Sequence, residues 1–535
     1  MRLVRRDEVQ PEPPAAARQA PDPYRVLFPV GVAAALAGLV PWIVVAAHVP
    51  IPYPGAAHAA LMVQGFELAF VCGFLLTAMP AFTHGPRCSP AELAAVTVLV
   101  GAHVVLRALG LPIAAWAFLA ALAALGFVVA RRVRPGEAAP PEEFLLVGAG
   151  LALGVAGAVV QVLVTLGYLP EASERAGVRC MSLGMLPALV LGLGGLLVPT
   201  FARMSNPLTI AGIAKAGDRP RRRAFIVAVA ALLVIAVNLD FAGLVREAAW
   251  CRALAALAST QLAWKLWRLP GRRDRLSWSI WGAGWAVAIG FTAAAIWPVH
   301  RVEAWHVAFV GGYVLLTLGI GTRVVVSHGG HAMPEEGAVL SWWAVAALVA
   351  AALLRALGPT FDPEHASLHQ GVAAALALLA LGGWFLAAWP RIRRTRPRLL
   401  TREHPRSLPA ISSSAWCLMM RASAMNTTSS ATFVARSATR SRFRPTSTSV
   451  IERSTCCGSA IMRRISSANI WRLSWSTSSS RRTSSRAASA SPRTNASSES
   501  RSMAIDFSAS SWRSASGFTG ALLASCLAHP AMFTA

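Results

Sequence analysis

The chain has 535 residues, of which 55% are hydrophobic and only 14% are charged, whereas soluble domains carry about 25% charged residues. Its formal net charge of +26 does not indicate nucleic-acid binding, because the excess lies in loops and in a C-terminal tail. The composition favours a membrane protein whose partner is the lipid bilayer, and no nucleic-acid partner is expected.

Residues 1–25 form a polar N-terminal segment that contains Arg2, Arg5 and Arg6. It lacks the apolar run and small-residue cleavage site of a removable signal peptide. We therefore expect a cytoplasmic segment followed by an uncleaved first span.

Twelve apolar stretches fill residues 26–390, each close to the ~20 helical residues that cross a hydrocarbon core ~30 Å thick. They lack the period-2 alternation of barrel strands. The sequence therefore predicts an all-α, polytopic membrane domain of about twelve transmembrane helices. The predicted spans are Val26–Ala47, His58–Phe82, Ala91–Leu109, Ile113–Ala130, Phe144–Leu166, Ser182–Phe201, Ala224–Phe241, Trp250–Trp267, Ser277–Trp297, Trp305–Val326, Ser341–Leu357 and Leu368–Trp389.

Basic residues concentrate in alternate loops, as the positive-inside rule requires of cytoplasmic loops. The other loops carry isolated arginines mixed with glutamates. This alternation predicts an even number of spans with both termini in the cytoplasm. The predicted cytoplasmic segments contain Arg87, Arg131, Arg132, Arg134, Lys215, Arg219, Arg221, Arg222, Arg223, Arg268, Arg272, Arg273, Arg275, Arg391, Arg393, Arg394 and Arg396.

Residues 391–535 form a basic tail rich in arginine and serine. From residue 405 onward it holds sixteen arginines, no lysine and three acidic residues, and no stretch is long enough to span a membrane. Such a composition is typical of a disordered segment, and an artefact of the gene model is the alternative. We assign no function to this tail.

Histidines gather at the predicted outer ends of the helices, which suggests a metal or haem site because imidazole binds copper, haem iron and zinc. The alternative is that water simply reaches these positions. His365 and His369 lie at i and i+4, so one metal ion could take both rings if Asp362 and Pro363 start a helix. His103 lies in the outer half of the third span.

The second span carries His58 and Met62 on one helix face, a donor pair that suits copper. Cys72 shares this face but lies ~21 Å of helix away from His58, so it is expected to be a buried thiol. Gln64 and Glu67 lie near mid-membrane, where a carboxylate is costly and indicates a functional residue. A protonated glutamate bonded to a neighbouring helix is the alternative.

In the tenth span, His306, Tyr313 and Thr317 share a face, and glycines around them allow close helix packing or a flat macrocycle. Arg323 ends this helix and is followed by His328. Arg323 could pair with a haem propionate or mark the cytoplasmic boundary.

Two of these regions resemble the NnrS family of bacterial membrane proteins. One runs from His58 through Met62 and Gly65 to the stretch Gly-Phe-Leu-Leu-Thr-Ala-Met-Pro at residues 73–80. The other runs from His306 through Gly311 and Gly312 to Gly-Thr-Arg-Val at residues 321–324 and His-Gly-Gly at 328–330. Ala60, Leu61 and Leu196 stand where the family motifs carry His, Glu and Arg.

The resemblance implies haem b and copper, the bacterial inner membrane, and a role in the response to nitric oxide or nitrosative stress linked to denitrification. The expected haem-site residues are His58, His306, His328 and Arg323. The expected metal ligands are His58, Met62, His103, His306, His365 and His369.

Two other classes stay open, and whether the protein is an enzyme is left undecided. A secondary transporter also has twelve spans with both ends inside, although no clear internal repeat is seen. A divergent haem-copper redox protein is the second alternative, although adjacent His-His and His-x-His ligands are absent.

Overall fold

The computed structural model describes residues 21–83, 85–132, 140–202, 204 and 219–394. Within these residues the chain is helical and contains no strand, which confirms the all-α prediction. Most of the N-terminal segment and the tail from residue 395 onward lie outside the described residues. The predictions made for them therefore stay predictions.

The helices follow the predicted apolar stretches closely. The first eight are α1 (Tyr24–Ala46), α2 (Gly55–Ala60), α3 (Leu68–Thr83), α4 (Pro90–Ala108), α5 (Ala114–Ala130), α6 (Glu143–Thr165), α7 (Ala172–Cys180) and α8 (Leu186–Phe201). The others are α9 (Arg219–Phe241), α10 (Val245–Ala258), α11 (Arg275–Ile296), α12 (Arg301–His306), α13 (Leu315–His328), α14 (Glu336–Val339), α15 (Trp342–Phe361) and α16 (Ala366–Arg393).

Several of these helices join end to end through π-helical segments. Such segments widen the helix by one residue per turn and are frequent at functional sites. They are Leu61–Glu67, Met181–Met185, Ser259–Ala263 and Val307–Val314.

Ten helical stretches among the described residues are long and apolar enough to cross a membrane, and Ala114–Ala130 is a shorter apolar helix. The chain is therefore a multi-pass helical membrane protein, while the count of twelve spans and their orientation stay predictions. The predicted span Trp250–Trp267 is misplaced, since α10 begins at Val245 and its continuation ends at Ala263. Lys265 then turns the chain with a positive φ of 59°.

The misplaced span contains an arginine that ties it to its neighbours. The Arg252 side chain is 1% exposed, pairs with Asp240 of α9, and donates from Nε to the Leu183 carbonyl at 3.1 Å. A buried charge is tolerated when it is paired and hydrogen-bonded. The helix starts earlier than predicted because the charged Arg246 and Glu247 belong to its first turn and not to the preceding loop.

Helices from both ends of the described region pack together around the candidate site. α1 packs against α3 and α16, and α16 packs against α15. The rings of Phe28 and Phe70 stack at 4.4 Å between centroids, and Trp384 donates from Nε1 to the Thr322 hydroxyl at 2.8 Å. These contacts fix the second and tenth predicted spans against the first and last.

Candidate functional site

A cavity of about 390 Å³, here called the histidine cavity, contains side chains from both regions that the sequence analysis singled out. Small-molecule and cofactor sites have volumes of about 300–1,000 Å³. The walls come from α1, α2, α12, α15, α16 and the π-helical segments 61–67 and 307–314. Its walls include Leu39, Trp42, His58, Met62, Glu67, Trp305, His306, Phe309, Tyr313 and Arg355.

His58 is half-buried in α2, and its Nδ1 lies 2.9 Å from the Gly38 carbonyl oxygen of α1. A carbonyl only accepts, so Nδ1 carries the hydrogen and Nε2 keeps a lone pair. A side chain at Gly38 would come within 3.2 Å of Leu61 and 3.4 Å of Met62. The close approach of α1 at this glycine therefore makes the hydrogen bond possible.

His306, at the end of α12, has the same kind of contact. Its Nδ1 lies 2.7 Å from the Val302 carbonyl oxygen, which again leaves the lone pair on Nε2. Behind it, a side chain at Gly290 of α11 would come within 2.5 Å of the Ala308 backbone nitrogen. Only glycine lets α11 approach this part of the chain so closely.

A π-helical segment follows each histidine within three residues. Leu61–Glu67 places Met62, Val63 and Glu67 on the cavity wall, and Val307–Val314 places Phe309 and Tyr313 there. The altered helical period in both segments changes which side chains face the cavity. A regular helical wheel therefore misses part of the wall.

Arg355 is the residue of this site that the sequence analysis missed. It lies within the apolar span α15, its side chain is 13% exposed, and its Nη1 is 3.9 Å from a Glu303 carboxylate oxygen. Within the described residues, this buried Nη1 has no hydrogen-bond partner. The available signal was the arginine itself, since a charge inside a membrane span usually marks a functional site.

Glu67 and Tyr313 form the polar end of the cavity farthest from the two histidines along their helices. Glu67 is 5% exposed, and its Oε2 accepts a hydrogen bond from the Thr317 hydroxyl at 2.9 Å. The buried Tyr313 hydroxyl has no hydrogen-bond partner among the described residues. The bond from Thr317 matches the alternative of a glutamate bonded to a neighbouring helix, and a functional role for Glu67 stays a prediction.

His103, which was predicted as a metal ligand, does not line the histidine cavity. It is 1% exposed within α4, and its Nδ1 donates to the Ala114 carbonyl at 2.9 Å. Its ring packs 5.2 Å from that of Phe118. The hydrogen bond to Ala114 and the ring contact with Phe118 both join α4 to α5.

His365 and His369 lie close together, but both hydrogen-bond to a carboxylate outside the histidine cavity. His365 Nδ1 and His369 Nε2 each donate to Asp362 at 3.0 Å. These bonds, first that of His365 and then that of His369, lower the pKa of Asp362. The predicted helix start at Asp362 is wrong, because α16 begins at Ala366 and the carboxylate binds imidazoles instead of capping the helix.

Arg323 and His328 also lie away from the histidine cavity. Arg323 pairs with Glu336 of α14, and its Nη1 lies 2.7 Å from the Met333 sulfur. The His328 ring lies 6.3 Å from that of Tyr24. Arg323 thus connects the C-terminal half of α13 to the residues that follow this helix.

No group of three or more His, Cys, Asp or Glu side chains is arranged to hold a metal ion in the part of the chain that the structure describes. The cavity instead offers two imidazoles, a thioether and one arginine between aromatic walls. Such a set could hold a flat, mostly apolar cofactor, with the imidazoles as ligands to its metal and the arginine beside an anionic edge.

The fold defines a multi-pass helical membrane protein whose helices enclose the histidine cavity. The model of one family, described as NnrS protein, matches residues 20–396, which is more than half of the chain. The chain therefore belongs to the NnrS protein family, as the resemblance predicted. A comparison with curated proteins gives no match.

Proposed function

We propose that the protein binds haem b in the histidine cavity and serves the response to nitric oxide or nitrosative stress. The observation that carries the proposal is the pair His58 and His306, two imidazoles in one cavity with Nδ1 engaged and Nε2 available. Metal-ligating histidines commonly donate their other ring hydrogen to a carbonyl or carboxylate.

Other residues of the cavity suit the rest of a haem. Phe309 and Trp305 provide aromatic walls for the macrocycle. Arg355 provides a buried cation with an unused donor for a propionate, and a charge-assisted hydrogen bond of this kind is strong. Arg355 takes the role that the sequence analysis assigned to Arg323, which is committed to Glu336.

Bound haem would supply an iron centre that takes a small diatomic ligand such as nitric oxide. The protein's own contribution is to fix the imidazoles, pair the propionates and keep water from the apolar part of the cavity. Copper is the second expected cofactor, and His58, Met62 and His306 are the donors that the cavity offers to it.

We also propose a bacterial inner-membrane location and a link to denitrification, which the family resemblance supports. The deciding experiment is an absorption spectrum of the purified protein with metal analysis of the same sample. We expect a b-type haem spectrum with near-stoichiometric iron. Protein that folds and inserts but contains neither haem nor copper after growth with both would contradict the proposal.

A further inference from the structure

A second cavity of about 60 Å³ adjoins the histidine cavity. Glu67 and Tyr313 line both. Along the second predicted span, His58, Met62 and Val63 precede Glu67 and line the histidine cavity, whereas the residues that line the second cavity follow it. These later residues are Phe70, Val71 and Phe74.

The tenth predicted span shows the same division. His306 and Phe309 precede Tyr313 and line the histidine cavity, whereas Thr317 and Ile320 follow it and line the second cavity. The two cavities therefore follow one another along both helices and meet at Glu67 and Tyr313. The path from His58 to Phe74 is roughly 24 Å of helix, a large part of a bilayer core ~30 Å thick.

We propose that protons pass between the two cavities through Glu67, with Thr317 as its hydrogen-bonding partner and with Tyr313, which lines both cavities, as a second hydroxyl on the path. Glu67 has no arginine, lysine or histidine ion pair within the described residues, and its polar contact is the Thr317 hydroxyl. A carboxylate without a counter-charge is costly inside a membrane. A proton is the smallest cation that removes this cost.

The second cavity is large enough for water, which needs about 10–15 Å³ and two to four polar partners. Glu67, Tyr313 and Thr317 are the three polar side chains among its described lining residues. The buried Tyr313 hydroxyl lacks a partner in the described residues, so it has a donor and an acceptor left for such water.

The transfer is a proton exchange without electron movement. A hydronium ion in one cavity gives up a proton and becomes water, and an O–H bond forms at the Glu67 carboxylate. That bond breaks when a water molecule in the other cavity accepts the proton and becomes hydronium. His58, His306, Arg355 and Tyr53 are the titratable or charged side chains that line the histidine cavity besides Glu67 and Tyr313. The described lining of the second cavity adds none.

The test uses the full-length protein in liposomes with a trapped pH dye, and a potassium diffusion potential drives proton entry. We expect wild-type flux above that of protein-free liposomes, and Glu67→Gln should reduce it to the protein-free level. Glu67→Asp and Tyr313→Phe should give intermediate fluxes. Glu364→Gln is the control, because that carboxyl is exposed and lies outside both cavities. It should retain the wild-type flux.

A second measurement keeps the proposal testable if Glu67→Gln inserts poorly. A hydrophobic carbodiimide, which modifies protonated carboxyls, should label Glu67 in wild-type membranes. Glu143, which is 1% exposed but paired with Arg222, should stay unlabelled. Wild-type flux equal to that of empty liposomes, or labelling of Glu143 without Glu67, would overturn the proposal. The proposed proton transfer does not depend on bound haem.

Discussion

His58 and His306 make equivalent hydrogen bonds although they belong to distant parts of the chain. Each donates its Nδ1 hydrogen to a backbone carbonyl, at 2.9 Å and 2.7 Å respectively, and both rings line the histidine cavity. Each ring therefore keeps the Nε2 lone pair, the form in which a neutral imidazole binds a metal. The two helices thus present matching imidazoles to one cavity.

Replacing either histidine should remove a cofactor ligand. We expect His58→Ala and His306→Ala to lower bound haem or copper about tenfold or more, because an open coordination position weakens the site. His103→Ala, which lies outside the cavity, is the matched control and should keep the cofactor. Iron, copper and absorption spectra should be measured on each purified variant. Wild-type haem and copper in both cavity variants would contradict the assignment.

Arg355 should contribute affinity through an anionic edge of the cofactor. Losing a hydrogen bond to a charged group costs about 1.5–3 kcal/mol, so Arg355→Leu should weaken haem binding about tenfold or more. Arg355→Lys should recover only part of the affinity, since an ammonium lacks the planar fork of the guanidinium. Haem titration of the apo-protein measures the effect. Arg301→Leu, at the first residue of α12, should bind haem like the wild type.

Much of the fold was predictable because the length and spacing of apolar stretches decide where a chain crosses a membrane. The span at Val245–Ala263 was misplaced because its first turn contains the charged Arg246 and Glu247, which an apolar window excludes. The pairing of the buried Arg252 with Asp240 depends on tertiary contacts, which such a window cannot anticipate. The need for glycine at positions such as Gly38 and Gly290 likewise becomes apparent only from the close approach of a neighbouring helix.

The candidate site was only partly predictable. The resemblance motifs singled out His58 and His306, which the fold brings into one cavity. Arg355 was missed because it belongs to no recognisable motif. One sequence also does not show which helix faces meet in the folded protein, so it cannot assign residues of different spans to one cavity. Arg323 was included because it is part of the Gly-Thr-Arg-Val motif. Its contact with Glu336 depends on how the loop after α13 folds, which the motif does not show.

Arg323 should matter for stability more than for the cofactor. Its side chain is 10% exposed and that of Glu336 is 14% exposed, and breaking a buried ion pair costs about 3–5 kcal/mol. We expect Arg323→Ala to lower the thermal midpoint in detergent and to leave haem per folded protein unchanged. The double variant Arg323→Met, Glu336→Leu should be more stable than the single one. Haem loss at an unchanged midpoint would instead assign Arg323 to the cofactor.

Membrane orientation can be tested independently of any cofactor. The basic residues concentrate in every second loop, which indicates that these loops lie in the cytoplasm. Reporter fusions after Arg134 and after Arg273 should therefore both report a cytoplasmic location. A fusion after Arg301 is the opposite-side control and should report the periplasm. A periplasmic signal after Arg134 or Arg273 would break the predicted topology.

Acid should weaken the connection between α15 and α16. Hydrogen bonds from His365 and His369 lower the pKa of Asp362 in the folded protein, so its ionised form is favoured by folding. A lowered carboxyl pKa adds stability above the unfolded value of about 3.9, and this stability is lost as the pH falls through the folded pKa. The difference in thermal midpoint between wild type and Asp362→Asn should therefore be constant near neutral pH and shrink below about pH 4. Glu364→Gln, an exposed carboxyl two residues away, is the control for general acid effects. A difference that grows as the pH falls below about 4 would show that these histidines do not stabilise the ionised Asp362.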